Sequence, residues 1–288
     1  MKQYGQLITL IRSRLGYTQK EFAHFLGCDQ GTISKIESGD THFGEMIYLI
    51  AWKFGIQPRD FFGTQVNQLE DYYYVAETKQ YIRFLVTKRD YTSMIPYVKD
   101  GWNNSHFRSK KDQVFLHWNQ GIIDIHDKHD PSSAAQHLEE ALKLTLCSET
   151  FLNHIEVLNS YGIIHFVTGD LEAALCRFNH AEKMLSALPY SLHTQIRTRI
   201  LYNLSNAYFR LNKFNDSQNK AFQAIQLCKE SHSTYLRGEV TYQYGFSSYH
   251  LGLKDQAKQY MEKSVTYFID EDQEELAKHA IQRLHELF

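Results

Sequence analysis

The sequence predicts an all-α protein in two parts: a small helical domain at its N-terminal end and a longer array of helical hairpins. Three observations lead there. Only 4 prolines and 15 glycines interrupt 288 residues, which is the composition of a chain of long helices. Over the first sixty residues, apolar side chains return at helical spacing between clear start and stop signals. From about Thr78 onward, one pattern recurs roughly every 40 residues, the signature of stacked helical repeats. The length exceeds what one small domain needs, and a hydrophobic content of 43% is enough for cores in both parts.

The first helix is expected from Lys2 to Leu15, with Leu7, Ile8, Ile11 and Leu15 on one apolar face and Gly16 ending it. Thr18 then caps a second helix, and Glu21 three residues later completes a capping box. Phe22, Ala23, Phe25 and Leu26 supply its buried side, and Gly27 sits where a left-handed residue is wanted. Asp29 caps a third helix, Gln30 to Glu37, with Ile33 and Ile36 pointing inward. The other side of that helix carries Gln30, Gly31, Thr32, Ser34 and Lys35, which are small or polar where a solvated helix usually carries long charged residues. A fourth helix is expected over 43–54, and a short fifth from Pro58 to Phe62.

Helix, tight Gly-containing turn, helix is the helix-turn-helix unit. The stretch T-Q-K-E-F-A…L-G…G-T-I-S-K-I-E-S-G resembles the phage-repressor (Xre/Cro-type) DNA-binding domain over residues 1–63. In that family the second helix of the unit enters the major groove and its first residues read base edges. The resemblance implies that Gln30 reads a base, since an amide can pair bidentately with adenine. Gly31, Thr32 and Ser34 would let the helix come close, and Lys35 would reach a base edge or a phosphate. Gln19 matches a phosphate-donating position, and Arg12, Arg14 and Lys20 are candidate backbone neutralisers. The whole chain has a net charge of −2, and residues 1–63 carry seven basic side chains against six acidic. DNA binding is therefore expected to need a dimer and to be salt-sensitive.

Residues 64–77, polar and aromatic, are expected as a linker helix into an array over 78–288. The stretches YGIIHFVTGDLEAALCRFNHA, LSNAYFRLNKFNDSQNKAFQA and YGFSSYHLGLKDQAKQYMEKS align, with turns at Gly169, Asn212 and Gly252. Their small-residue columns are Ala174, Phe178, Ala181; Ser217, Ala221, Ala224; and Ala257, Met261, Ser264. An earlier copy has Ala134, Leu138 and Ala141 after the Asp130 cap and Pro131. A weak fifth copy is expected between Thr78 and Asp100, and a capping helix from Glu274 to Leu287. The pattern resembles the tetratricopeptide repeat with lengthened helices, which implies a right-handed superhelix of about five hairpins with a concave inner face. The first helix of each hairpin would line that face with Trp118, Asn119, Asn159, Tyr202, Asn203, Asn206, Tyr242 and Gln243. Amides donate and accept, so a row of them can hold an extended peptide backbone.

Taken in order, the two parts resemble the PlcR/PrgX/NprR/Rgg group of peptide-responsive transcriptional regulators of Gram-positive bacteria, nearest in length and layout to its PlcR-like branch. That resemblance implies a homodimer on a near-palindromic operator, controlled by a short quorum-sensing signalling peptide on the concave face. Asn159, Asn203 and Gln243 match the backbone-holding amides best, with Asn119 and Asn206 next. Lys79, Arg83, Lys88 and Arg89 are candidates to meet a peptide carboxylate.

No nucleophile elbow, Walker loop or HExxH occurs, so an enzyme is not expected, and neither is a cofactor or metal. His126, His129 and Asp130 in IHDKHDP are expected in a helix-capping turn. Cys28, Cys147, Cys176 and Cys228 show no CxxC spacing and are expected as free thiols. A redox role for Cys28, or control by a protein partner in place of a peptide, is the alternative. No signal peptide or membrane span is expected, which places the protein in the cytoplasm.

Overall fold

The computed structural model of the chain describes residues 2–39, 69–145, 151–190 and 193–288. The helices expected over 43–54 and 58–62, and the first residues of the expected linker, lie outside the described residues. What is described is helical between turns, and it divides into two compact units. One is residues 1–84 with 104–106, the other 85–103 with 107–288.

In the first unit, α1 (Lys2–Arg14), α2 (Gln19–Leu26) and α3 (Gln30–Ser38) bury Ile8, Ile11, Phe22, Ala23, Leu26, Ile33 and Ile36. Leu15, expected on the apolar face of α1, is exposed, because the helix ends at Arg14 and the chain swings away through Gly16 at φ 70°. The Thr18–Glu21 capping box forms, Gly27 takes φ 77°, and the Asp29 carboxylate accepts from the Thr32 backbone N–H at 2.8 Å. Gly5 marks the closest approach of α1 to α3, since a Cβ there would lie 2.5 Å from the Ile36 and Glu37 carbonyl oxygens. Glu37 ties the three helices together. Its carboxylate accepts from Arg12 Nε at 2.6 Å and Nη2 at 3.1 Å, and from Gln19 Nε2 at 2.7 Å.

The next element, α4 (Leu69–Lys88), is one 20-residue helix. It takes in both the described part of the expected linker and the start of the expected first repeat, and the division between the units falls inside it, after Phe84. A 3-10 turn (Thr92–Met94) and the nine-residue α5 (Ile95–Asn103) follow. The weak copy expected between Thr78 and Asp100 thus lacks a full second helix.

Four regular hairpins come after it: α6 (Lys110–His126) with α7 (Pro131–Leu144), α8 (Phe151–Thr168) with α9 (Leu171–Ser186), α10 (Thr194–Arg210) with α11 (Phe214–Glu230), and α12 (Arg237–His250) with α13 (Lys254–Asp270). The connections turn through left-handed residues: His129, Gly169, Asn212 and Gly252. All twelve residues of the small-residue columns are buried, at 0 or 1% exposure. Opposite them, the first helix of each pair offers Gly121, Gly162, Ser205 or Gly245. A Cβ on Gly162 would lie 2.5 Å from the Phe178 ring, and one on Gly245 would lie 3.0 Å from the Ala257 carbonyl. Ser205 uses the same closeness to donate to the Ser217 carbonyl at 2.7 Å. Finally α14 (Glu274–Leu287) covers the open end, with Ala277 and Ala280 against Phe268.

The first hairpin turn is held by Asp124, whose carboxylate is fully buried. It accepts from Lys128 Nζ at 2.7 Å, Gln120 Nε2 at 2.8 Å and Ser133 Oγ at 2.9 Å. Burial pushes this carboxyl up, but those donors outweigh it and hold it below the usual aspartate value.

Two outcomes follow from this packing. Gly245→Ala is expected to lose about 1–3 kcal/mol in urea denaturation, because the backbone it would meet has no room to move; an unchanged midpoint would contradict the account. Asp124→Asn is expected to destabilise by about 1–3 kcal/mol at neutral pH. Since the folded-state carboxyl is depressed, wild type should lose that advantage as pH falls through and below the ordinary aspartate range. Denaturation midpoints of both proteins from pH 7 downward check it, and a gap that stays constant refutes it.

Candidate functional sites

The first site is the outer face of α3. Ile33 and Ile36 are turned into the core, so Gln30, Gly31, Ser34 and Lys35 stand exposed at helical spacing on the opposite side. Thr32 is half-buried and donates its hydroxyl to Asp29 Oδ2 at 2.8 Å, which makes it part of the cap. Gln19 and Arg12 are both drawn to Glu37, and Arg12 also donates to the Tyr17 carbonyl at 2.9 Å. Their polar groups are therefore oriented by protein contacts. The Arg14 side chain lies outside the described residues. Cys28, at the turn before α3, is half-buried, and burial together with the Asp29 charge pushes its thiol up, the reverse of what a reactive cysteine needs.

The second site is a cavity of about 1350 Å³ in the second unit, walled chiefly by the first helices of the hairpins. Of the eight residues expected on a concave face, Trp118, Asn159, Tyr202, Asn203 and Asn206 line it, while Asn119, Tyr242 and Gln243 do not. Asn119 is buried and donates back to the Phe115 carbonyl at 2.7 Å. Gln243 is turned into the seam between hairpins, where it donates to Ser217 Oγ at 3.2 Å. Tyr242 packs against Phe246 and His279. Within the cavity wall, Asn203 donates to Asn159 Oδ1 at 2.9 Å, and Trp118 Nε1 donates to Ser160 Oγ at 2.8 Å. These partners are 44 and 42 residues apart, one repeat along the chain, so the polar contacts of the wall follow the repeat. Burial pushes the Tyr202 phenol up, partly offset by a hydrogen bond with Asn206.

Of the cationic candidates, Lys88 and Arg89 line the cavity and Lys79 and Arg83 do not. Arg89 Nη2 donates to Glu239 Oε1 at 2.7 Å, joining the end of α4 to the first turn of α12. Burial pushes the Glu239 carboxyl up, offset only in part by its own backbone N–H and by Arg89. His126 stacks on Tyr91, ring centroids 4.4 Å apart, and Asp130 caps α7. No group of three His, Cys, Asp or Glu side chains among the described residues is placed to hold a metal ion. Glu239, Arg199 and Ser160 were not expected from the sequence. Repeat register holds a signal for Ser160 and for the Arg199–Glu156 pair, 43 residues apart, but none for the Arg89–Glu239 pair across 150 residues.

A helix-turn-helix family model matches residues 8–60. No curated protein matches the chain. Among solved structures, Bacillus thuringiensis PlcR in complex with the peptide PapR7 and DNA is similar at 20% identity and a TM-score of 0.73, covering 98% of this chain and 99% of that one. The apo form of the same protein is similar at 19% identity and 0.69, with the same coverage. The apo form of RapI is similar at 12% identity and 0.61, covering 76% of this chain and 77% of its own. Over nearly its whole length, then, the chain has the fold of PlcR: a helix-turn-helix domain followed by tetratricopeptide-like hairpins.

Proposed function

We propose that this chain is a transcription regulator that binds operator DNA as a homodimer through α3 and is controlled by a short signalling peptide held in the cavity of the second unit. The observation that carries the reading is the amide lining of the cavity. Asn159, Asn203 and Asn206 line a cavity larger than the roughly 300–1,000 Å³ usual for small-molecule sites, as a peptide backbone would need. The exposed face of α3 supplies the other half: Gln30 for a base edge, Lys35 for a base or phosphate, and Gly31 and Ser34 small enough to allow close approach. The likeness to PlcR, whose structure holds both a peptide and DNA, supports both halves at once.

The domain assignment proposed with it is DNA reading by residues 1–63 and peptide binding and dimerisation by 78–288. The protein would act in the cytoplasm, without catalysis. No described helix is long and apolar enough to cross a membrane. Among the site residues, Gln30 and Lys35 are assigned to DNA and Asn159 and Asn203 to the peptide backbone, with Trp118 and Tyr202 forming side-chain pockets. Gln19 and Arg12 would reach phosphate only by sharing or leaving Glu37. Control through Cys28 oxidation is disfavoured by its raised thiol pKa. Control by a protein partner is the remaining alternative.

Selection of genomic fragments on the full-length protein at moderate salt is expected to enrich a near-palindromic site. Gln30→Ala should cost about 1–3 kcal/mol and relax one base position, and Lys35→Ala should reduce the salt slope by about 1. Absence of any shared site, or variants indistinguishable from wild type, would overturn the DNA assignment. Asn159→Ala and Asn203→Ala are expected to abolish the response of DNA binding to added short peptides while leaving DNA binding itself intact. A full response in both variants would remove these amides from the mechanism.

A further inference from the structure

The wall of the cavity contains a buried carboxyl group with one oxygen paired and the other without a partner. Glu239 is 6% exposed. Its Oε1 accepts from Arg89 Nη2 at 2.7 Å, while Oε2 is buried and accepts no hydrogen bond. A buried carboxylate oxygen left without a donor costs free energy that an incoming N–H recovers. The surroundings carry the same sign: five carboxylates but three permanent cations line the cavity. Of the cations, Arg89 is engaged by Glu239 and Arg199 by Glu156 at 3.0 Å, although Arg199 Nε is itself buried without an acceptor. Of the carboxylates, Glu271 is held by Arg237 at 3.1 Å and Glu275 by Lys278 at 2.8 Å, which leaves Asp272 and Glu274 against Lys88. Asp272, in the turn before α14, and Glu274, its first residue, add negative field on the same cavity.

We propose that the cavity selects a ligand carrying a positively charged nitrogen, and that Glu239 Oε2 is the group that receives it. This rests on the peptide-binding reading and specifies the chemistry of the peptide. The nitrogen is either a free amino terminus or the side chain of a Lys or Arg. Either one makes a charge-assisted hydrogen bond to Oε2 in a site of low dielectric, where such bonds are strongest. A peptide carboxylate brought to the same place meets Glu239, Asp272 and Glu274 and is repelled. Arg89 holds the Glu239 carboxylate in position while the site is empty, and it remains paired through Oε1 when the ligand is bound.

The test uses the full-length protein and three pools of short randomised peptides. One pool has free amino termini and no Lys or Arg, one is N-acetylated with a single Lys, and one is N-acetylated and acidic. Peptides retained by the protein after gel filtration are quantified by mass spectrometry. Wild type is expected to retain at least one cationic pool about tenfold over the acidic pool, a difference of about 1.4 kcal/mol. Which cationic pool is retained identifies the source of the nitrogen. Glu239→Gln is expected to lose that preference. Asp272→Asn combined with Glu274→Gln, both exposed positions, is expected to weaken it, and this variant keeps the test decisive if Glu239→Gln fails to fold. Equal retention of the acidic pool, or a preference that survives in Glu239→Gln, or one undiminished in the double variant, overturns the proposal alone. Retention of no pool by wild type overturns the peptide-binding reading and the proposal with it.

Discussion

The array depends on how closely the two helices of each hairpin approach. Gly121, Gly162, Ser205 and Gly245 stand where the first helix meets the second, opposite Leu138, Phe178, Ser217 and Met261. A Cβ on any of the three glycines would sit inside van der Waals contact with its neighbour. That requirement fixes which side of the first helix faces its partner. It thereby fixes which side is left to face the interior of the array, and residues a repeat apart come into line there. The Asn159–Asn203 and Trp118–Ser160 contacts, and the Arg199–Glu156 ion pair, all follow from this register.

Inside that frame, the cavity departs from the pattern of a packed core at a small number of places, and those places carry its chemistry. A core of this size buries apolar side chains and satisfies its polar groups. Here amides line the wall, a tyrosine phenol is buried beside them, Glu239 Oε2 and Gln273 Oε1 have no donor, and Arg199 Nε has no acceptor. The Arg89–Glu239 pair joins segments 150 residues apart, so the start of the array and its fourth hairpin meet at one buried charge. Such a pair contributes little net stability once desolvation is counted, and it is better understood as a positioning device.

Much of this was legible in the sequence. The Thr18–Glu21 box, Gly27 and Asp29 fixed the ends of α2 and α3, and every residue of the small-residue columns from Ala134 to Ser264 is buried where its spacing placed it. These signals are local or strictly periodic, so one chain suffices to read them. The misplacements have physical causes. Leu15 fits the apolar period of α1, but that helix stops one residue earlier. The expected linker and first repeat merged into α4 because 69–88 contains no Pro or Gly to divide them. Among the site residues, Gln243 and Asn119 fall in the right repeats, but each side chain found a nearer partner, in Ser217 and in the Phe115 carbonyl. Whether an amide faces a cavity or a seam depends on a rotation that sequence period does not resolve. The Arg89–Glu239 pair depends on how the array closes, which no local signal encodes.

A regulator of the kind proposed must couple two places: the cavity, and the α3 face that reads DNA. Coupling of this sort is a differential interaction of one ligand with two states of the chain, and it has to be visible at both sites. The most direct measurement is backbone hydrogen exchange across the full-length protein, with and without a peptide pool that it retains. The account predicts slowed exchange in α6, α8 and α10, whose side chains line the cavity, together with a change in α2 and α3. Protection confined to α7, α9, α11 and α13, or protection at the cavity with α2 and α3 unaltered, would contradict it.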